Sequence, residues 1–256
     1  MTAGARDPGG GLARLLVTAQ EARSPLLSVP EELVPVDAGA AFAVQQRMLA
    51  LRSQAIGGWK VGAKTPAGPI QGAPLPSDGI LQSGAVVRCE DYPVLGLELE
   101  IAFRFGRVFE PSTEPYADEV VLASVASMLA TIEIVSSRFA RWPDVDKLCQ
   151  LADLQNHGAL ACGEAVAYSA DFPFTAPSLT FMLDGADIVK SPVANPAGDP
   201  RRLLAWVVNH CTARGITVDR DVVVTTGSYT GMHLASAPGT VSGEIRGLPA
   251  VSLTLV

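Results

Sequence analysis

Lysine is scarce in this 256-residue chain: Lys60, Lys64, Lys147 and Lys190 are the only four among 19 basic residues, against 26 acidic ones. With 18% charged residues and a formal charge of −7, the chain lacks the basic face that contacts nucleic-acid phosphates. Cysteine is also sparse. Cys89, Cys149, Cys162 and Cys211 form no CxxC pair, which excludes a zinc ribbon and a secreted disulfide framework. They are expected to be buried thiols in a reducing compartment. The longest apolar run, Val120–Ile132, is broken by Ser124 and Ser127 and falls short of the ~20 apolar residues that cross a bilayer. The first eleven residues are Gly-rich, carry Arg6 and Asp7, and have no continuous apolar stretch of the kind a signal peptide needs. The expectation is a cytoplasmic protein with no membrane segment and a disordered stretch over 1–11.

What is present is a core. Hydrophobic residues make up 48% of the chain, which excludes a disordered polymer and suits one large domain. A weakly charged surface suits burial between copies, so a homo-oligomer binding a small molecule is expected.

Leu12, Leu15, Leu16 and Ala19 repeat at helical spacing and predict a helix over 12–23 that Pro25 stops. Asp37 precedes a second helical pattern, Ala38–Gln54, which Gly57-Gly58 closes. Residues 12–56 therefore read as a helical lead. From residue 57 the texture is β-rich, with short runs at 85–88, 98–105, 131–135, 178–183, 222–226 and 250–256 separated by Gly and Pro. Two helices are expected within it, at 117–129 and at 200–214. The second has Asp199 as cap, Pro200 in its first position and Gly215 at its end. Helices and strands do not alternate regularly enough for a doubly wound sheet.

The densest chemistry lies in Gly96-Leu97-Glu98-Leu99-Glu100-Ile101. On a strand Glu98 and Glu100 share one face while Leu97, Leu99 and Ile101 take the other. Glu133, inside Thr131-Ile132-Glu133-Ile134-Val135, is a third acid in an apolar β run. Either these faces are solvated or a cation sits on them. An oxygen-only set favours Mg²⁺, Mn²⁺ or Ca²⁺ over Zn²⁺ or Cu²⁺. Lys60, in Gly58-Trp59-Lys60-Val61-Gly62, reads as a snorkelling strand residue or a catalytic ammonium. Asp78, in Ser77-Asp78-Gly79, reads first as a turn residue.

These pieces occur in a telling order. Gly58-Trp59-Lys60-Val61-Gly62, Asp78-Gly79-Ile80-Leu81, Glu98-x-Glu100, Ile132 to Phe139 with Trp142, Leu151-Ala152-Asp153, and Thr226-Gly227-Ser228-Tyr229-Thr230-Gly231-Met232 together resemble the 2-keto-4-pentenoate hydratase branch of the fumarylacetoacetate hydrolase family. The resemblance covers roughly residues 57–256. It implies an α+β protein, a mixed β-roll or sandwich of the fumarylacetoacetase-like type with an N-terminal helical segment. It also implies a divalent metal, Mg²⁺ or Mn²⁺, on Glu98, Glu100 and Glu133. Lys60 with Asp78 would form the acid/base pair, the Lys60 pKa being lowered by burial and the nearby metal and restored in part by the carboxylate. Asn156, Thr226, Gly227 and Ser228 would contact a 2-oxo or 2-hydroxy-dienoic acid, and Arg138, His157 and His233 would line or flank the pocket. For Arg138 a structural salt bridge is the other reading, and His210 reads as a packed helix residue.

The chain departs from the pattern at Leu154, where relatives carry Asn, at Asn156 in place of Ser, and at Ser136 in place of Asp. The activity implied is hydration of a 2-hydroxy-2,4-dienoate. Decarboxylation of a 2-oxo-3-enedioate, acylpyruvate-type hydrolysis and metal-dependent binding without catalysis are the alternatives. No histidine lies in the N-terminal-side loop that a hydrolase of this kind uses.

Overall fold

The computed structural model describes residues 8–256. Residues 1–7 of the stretch expected to be disordered lie outside the described residues, and from Pro8 onward that stretch is already helical. The lead consists of α1 (Pro8–Glu21) and α2 (Ala38–Leu51). As expected, Asp37 caps α2, accepting the Ala40 N–H at 2.7 Å. Apolar stripes on both helices meet in a cluster of Leu12, Leu16, Val44 and Met48 that continues into Leu151 and Leu154.

The remaining chain forms two sheets. In chain order it runs β1 (Ile56–Gly62), β2 (Gln71–Pro76), β3 (Ile80–Gln82), β4 (Ala85–Val87), β5 (Gly96–Phe105), α3 (Asp118–Leu122), β6 (Val125–Val135), α4 (Lys147–Ala152), β7 (His157–Cys162), β8 (Val166–Ala167), β9 (Leu179–Leu183), β10 (Ala186–Asp187), α5 (Arg202–Thr212), β11 (Val223–Ser228), β12 (His233–Leu234), β13 (Gly239–Ile245) and β14 (Val251–Leu255). The larger sheet has the order β2-β1-β11-β5-β6-β7-β3, with β12 added to β5 and β8 to β6. The smaller one runs β10-β9-β13-β14-β4. This is the mixed α+β architecture expected.

The two sheets pack on each other through the apolar side of β5. Leu97, Leu99, Ile101 and Phe103 join Val241, Val251 and Leu253 in one buried core. Gly243 of β13 lets the two sheets approach closely, because a Cβ there would meet the end of the Leu99 side chain. Alternation then sends Glu98 and Glu100 to the opposite side of the large sheet.

Three expectations are corrected. Residues 117–129 are not one helix: α3 is a single short turn, and 125–129 begin β6. A strand buried on both faces is continuously apolar and reads like a buried helix. α5 starts at Arg202 and not at Pro200. Asp199 accepts the Arg201 N–H at 3.0 Å and caps the turn before it. Cys149, Cys162 and Cys211 are buried free thiols, whereas Cys89 is only partly buried. No helix among the described residues is long and apolar enough to cross a membrane.

Candidate metal centre and active site

β5 and β6 are antiparallel neighbours in a register that puts Glu98 directly opposite Glu133, so both side chains rise from the same face. Glu100, two residues along β5, completes the group, and ligand oxygens from all three lie within 4.8 Å of one another. Glu100 and Glu133 are buried, Glu98 half-buried. Sequence alternation named the three residues; only the register of β5 against β6 makes them one site.

Glu133 is held from two sides. Lys60 Nζ donates to Glu133 Oε1 at 2.7 Å, and His157 Nδ1 lies 2.8 Å from the same oxygen. Glu133 Oε2, fully buried, has no hydrogen-bond partner. Glu100 Oε2 accepts from the Gly227 N–H at 3.1 Å and from the Thr225 hydroxyl in a shorter contact. Gly227 has φ +92, a conformation other residues rarely adopt, at the irregularity that breaks the β11–β5 register between Thr225 and Ser228. That turn aims its N–H at the carboxylate. The Ser228 hydroxyl, close to Glu98, eases that carboxyl's ionisation.

The electrostatics show an unbalanced site. Burial, together with repulsion from Glu133, pushes Glu98 up to about 7 and Glu100 up to about 8. Burial works in the same direction on Glu133, but Lys60 and His157 outweigh it and hold that carboxyl below its usual range. For Lys60 burial favours the neutral amine, yet Glu133, Glu100 and Glu98 prevail and raise its pKa. Burial does act to lower Lys60 as expected, and the restoring carboxylates are Glu133, Glu100 and Glu98, not Asp78. Two of the three carboxyls therefore resist ionisation beside a single buried ammonium, and an oxygen-only set with one orphaned buried oxygen fits a hard divalent cation that would favour their ionised forms.

The triad and Lys60 face a cavity of 610 Å³. Asn156, Gly227 and Ser228 line it as expected; Thr226 sits behind, its hydroxyl donating to the Ile101 carbonyl at 2.8 Å. Residues not anticipated also line it, among them Gln155, whose carbonyl accepts from Lys60 Nζ at 3.2 Å, and Lys64 and Lys147. Leu154, Gln155 and Asn156 all have positive φ, between 49° and 59°. Nothing in the residue types announces three consecutive left-handed residues, although they coincide with the departures from the family pattern.

Several expected residues fall elsewhere. Asp78 is not brought to Lys60. It pairs with Arg52 at 2.6 Å and lines a separate cavity of 330 Å³. Arg138 is buried and committed to Asp153, with an ion pair at 3.2 Å and a main-chain N–H bond at 2.9 Å to the same carboxylate. His157 lies behind Glu133 and borders the second cavity rather than the first. His233, paired on β12 with Leu97, does not line the 610 Å³ cavity. His210 stacks on Trp206 and meets Phe42 and Trp59 edge-on, a packed helix residue as read from the sequence.

The fold and the cluster of three strand-borne carboxylates define the chain as fumarylacetoacetase-like in architecture. No protein-family model and no curated protein matches the sequence. Among solved structures, the chain is similar along almost its whole length to 4-oxalocrotonate decarboxylase from Pseudomonas putida G7, solved with magnesium and adipate: 18% identity over 97% of each chain, TM-score 0.84. It is also similar to 2-hydroxyhepta-2,4-diene-1,7-dioate isomerase from Mycobacterium marinum, at 14% identity over 79% of this chain and 75% of that one, TM-score 0.59. A third similarity is to 5-carboxymethyl-2-hydroxymuconate delta-isomerase from Mycobacterium smegmatis, at 16% identity over 79% of each chain, TM-score 0.58.

Proposed function

We propose that the protein is a metal-dependent enzyme acting on a 2-hydroxy-2,4-dienoate or its 2-oxo tautomer, and that the reaction is hydration to a 4-hydroxy-2-oxo acid. The observation that carries this is the convergence of Glu98, Glu100 and Glu133 with Lys60, which donates to Glu133, in one cavity. The three glutamates would hold Mg²⁺ or Mn²⁺. That ion, when bound, supplies Lewis acidity at the 2-oxygen and a fixed chelate geometry.

The chain's own groups divide the remaining work. Lys60, kept as an ammonium by its neighbours, is the acid that delivers a proton to the far carbon of the dienol. Loss of the 2-hydroxyl proton, which restores the Lys60 ammonium, completes ketonisation to an α,β-unsaturated ketone, and water adds across it, hydroxyl to C4 and proton to C3. Ser228 and the Asn156 side chain, whose Oδ1 is buried without a partner, are placed to hold the acid in the cavity. Asp78 takes no part in this scheme, because it is bound to Arg52 outside the cavity.

A second reading, decarboxylation of a 2-oxo-3-enedioate, is favoured by the similarity to the Pseudomonas decarboxylase across 97% of both chains, helical lead included. The two part on products. Incubation with Mg²⁺ and 2-hydroxypenta-2,4-dienoate should bleach the dienoate ultraviolet band and give a product heavier by one water. Release of CO₂ from 2-oxohex-3-enedioate without hydration of the dienoate would replace hydratase by decarboxylase. Turnover of neither, with metal bound, would leave a binding protein.

A further inference from the structure

Three of the four lysines in the chain line the cavity that holds the glutamate triad. Lys60 is part-buried at its depth and paired with Glu133. Lys64, just after β1, and Lys147, the first residue of α4, are exposed at its rim, and neither makes an ion pair among the described residues. The acid nearest in sequence to Lys147, Asp146, is occupied, accepting the Leu148 and Cys149 N–H groups at 2.8 and 3.2 Å. The Gln150 amide is spent on the Pro143 and Val145 carbonyls at 3.0 and 2.8 Å. The rim therefore presents two unpaired ammonium groups on a molecule whose formal charge is −7.

The charges of the lining select a ligand. Among the described residues the triad glutamates are its only carboxylates, and three lysines match them in number. With a divalent cation on the glutamates the lining carries two net positive charges. A monoanionic dienoate balances one of them and a dianion balances both.

We propose, resting on the 2-oxo-acid reading above, that the natural substrate is a diacid: its 2-oxo-carboxylate end lies at the glutamate triad and its second carboxylate is held at the rim by Lys64 and Lys147. A cavity of 610 Å³ lies in the range that takes a small ligand whole. The two lysines are specificity determinants and have no part in the proton transfers. Being exposed, they act through charge that salt screens, and they steer dianions towards an otherwise acidic protein.

The test compares two unreactive acids that differ only at the far end, 2-oxohexanoate and 2-oxohexanedioate, by calorimetric titration of the Mg²⁺-loaded protein. At low salt the diacid should bind about tenfold more tightly, the sum of two exposed ion pairs. Lys64→Met and Lys147→Met should each remove about threefold of that preference, and the double variant nearly all of it. Affinity for 2-oxohexanoate and for Mg²⁺ should not change, which also shows that the variants are folded. Equal binding of the two acids, or a preference that survives the double variant, overturns the diacid assignment and leaves the 2-oxo-acid reading standing. Failure of both acids to bind to protein that still takes up Mg²⁺ overturns both.

Discussion

His157 Nδ1 lies 2.8 Å from Glu133 Oε1, and both side chains are 1% exposed. With Lys60 on the same oxygen, this contact fixes the carboxylate so that Oε2 alone is left without a partner. A buried group that orients a metal-binding carboxylate is commonly worth 10- to 100-fold in affinity. His157→Leu should therefore weaken Mg²⁺ binding by about that factor. His157→Asn, whose amide N–H replaces the donor, should recover part of it. Unchanged Mg²⁺ affinity in His157→Leu, measured by calorimetry, would show that Lys60 alone suffices.

Asp153 and Arg138 form a second buried pair. Burial pushes the Asp153 carboxyl up to about 6, with Arg138 pulling the other way. Removing one charge strands the other, at a cost of about 3–5 kcal/mol. Asp153→Asn should lose that much stability in urea unfolding. A loss below about 1 kcal/mol, the value of an exposed pair, would mean that the pair is solvated.

His210 sets a pH dependence. Burial, with a smaller push from Arg214, lowers its pKa to about 4. Because the unfolded chain titrates near the ordinary value of about 6.5, it binds more protons than the native state between about 4 and 6.5. Stability should therefore fall as pH drops through that window. His210→Phe, which keeps the ring among Phe42, Trp59 and Trp206, should flatten this part of the profile. Parallel profiles for the two proteins would show that another group governs it.

The left-handed turn at Leu154-Gln155-Asn156 makes a backbone prediction. Gln155, at φ 51°, costs about 1 kcal/mol relative to glycine in this conformation, and a β-branched residue costs more. Gln155→Gly should leave stability unchanged or raise it by up to about 1 kcal/mol, while Gln155→Val should lower it by about 1–2 kcal/mol. Equal denaturation midpoints for the two variants would contradict the φ assigned here.

The residues that carry chemistry were legible because strand alternation isolates Glu98 and Glu100 from Leu97, Leu99 and Ile101, and because Asp37 and Gly215 punctuate their helices. Legibility ended where pairing between distant segments decides. Residues 125–129 look helical in the sequence because a strand covered on both faces is apolar without alternation. The resemblance points Asp78 to Lys60, but β2 leads it to Arg52 at the end of α2. The sign of the Lys60 shift depends on how many carboxylates surround it, which no local pattern reveals. Lys64 and Lys147 carry no motif at all; only the fold brings them to one rim.

If three carboxylates on β5 and β6 form one divalent-cation site served by Lys60, Mg²⁺ titrated into the wild type, Glu100→Ala and Lys60→Ala must separate binding from turnover measured on the same samples. The wild type should take up one equivalent of Mg²⁺, Glu100→Ala none, and Lys60→Ala should retain Mg²⁺ and lose turnover. Mg²⁺ binding by Glu100→Ala with wild-type affinity would mean that the three carboxylates are not one site.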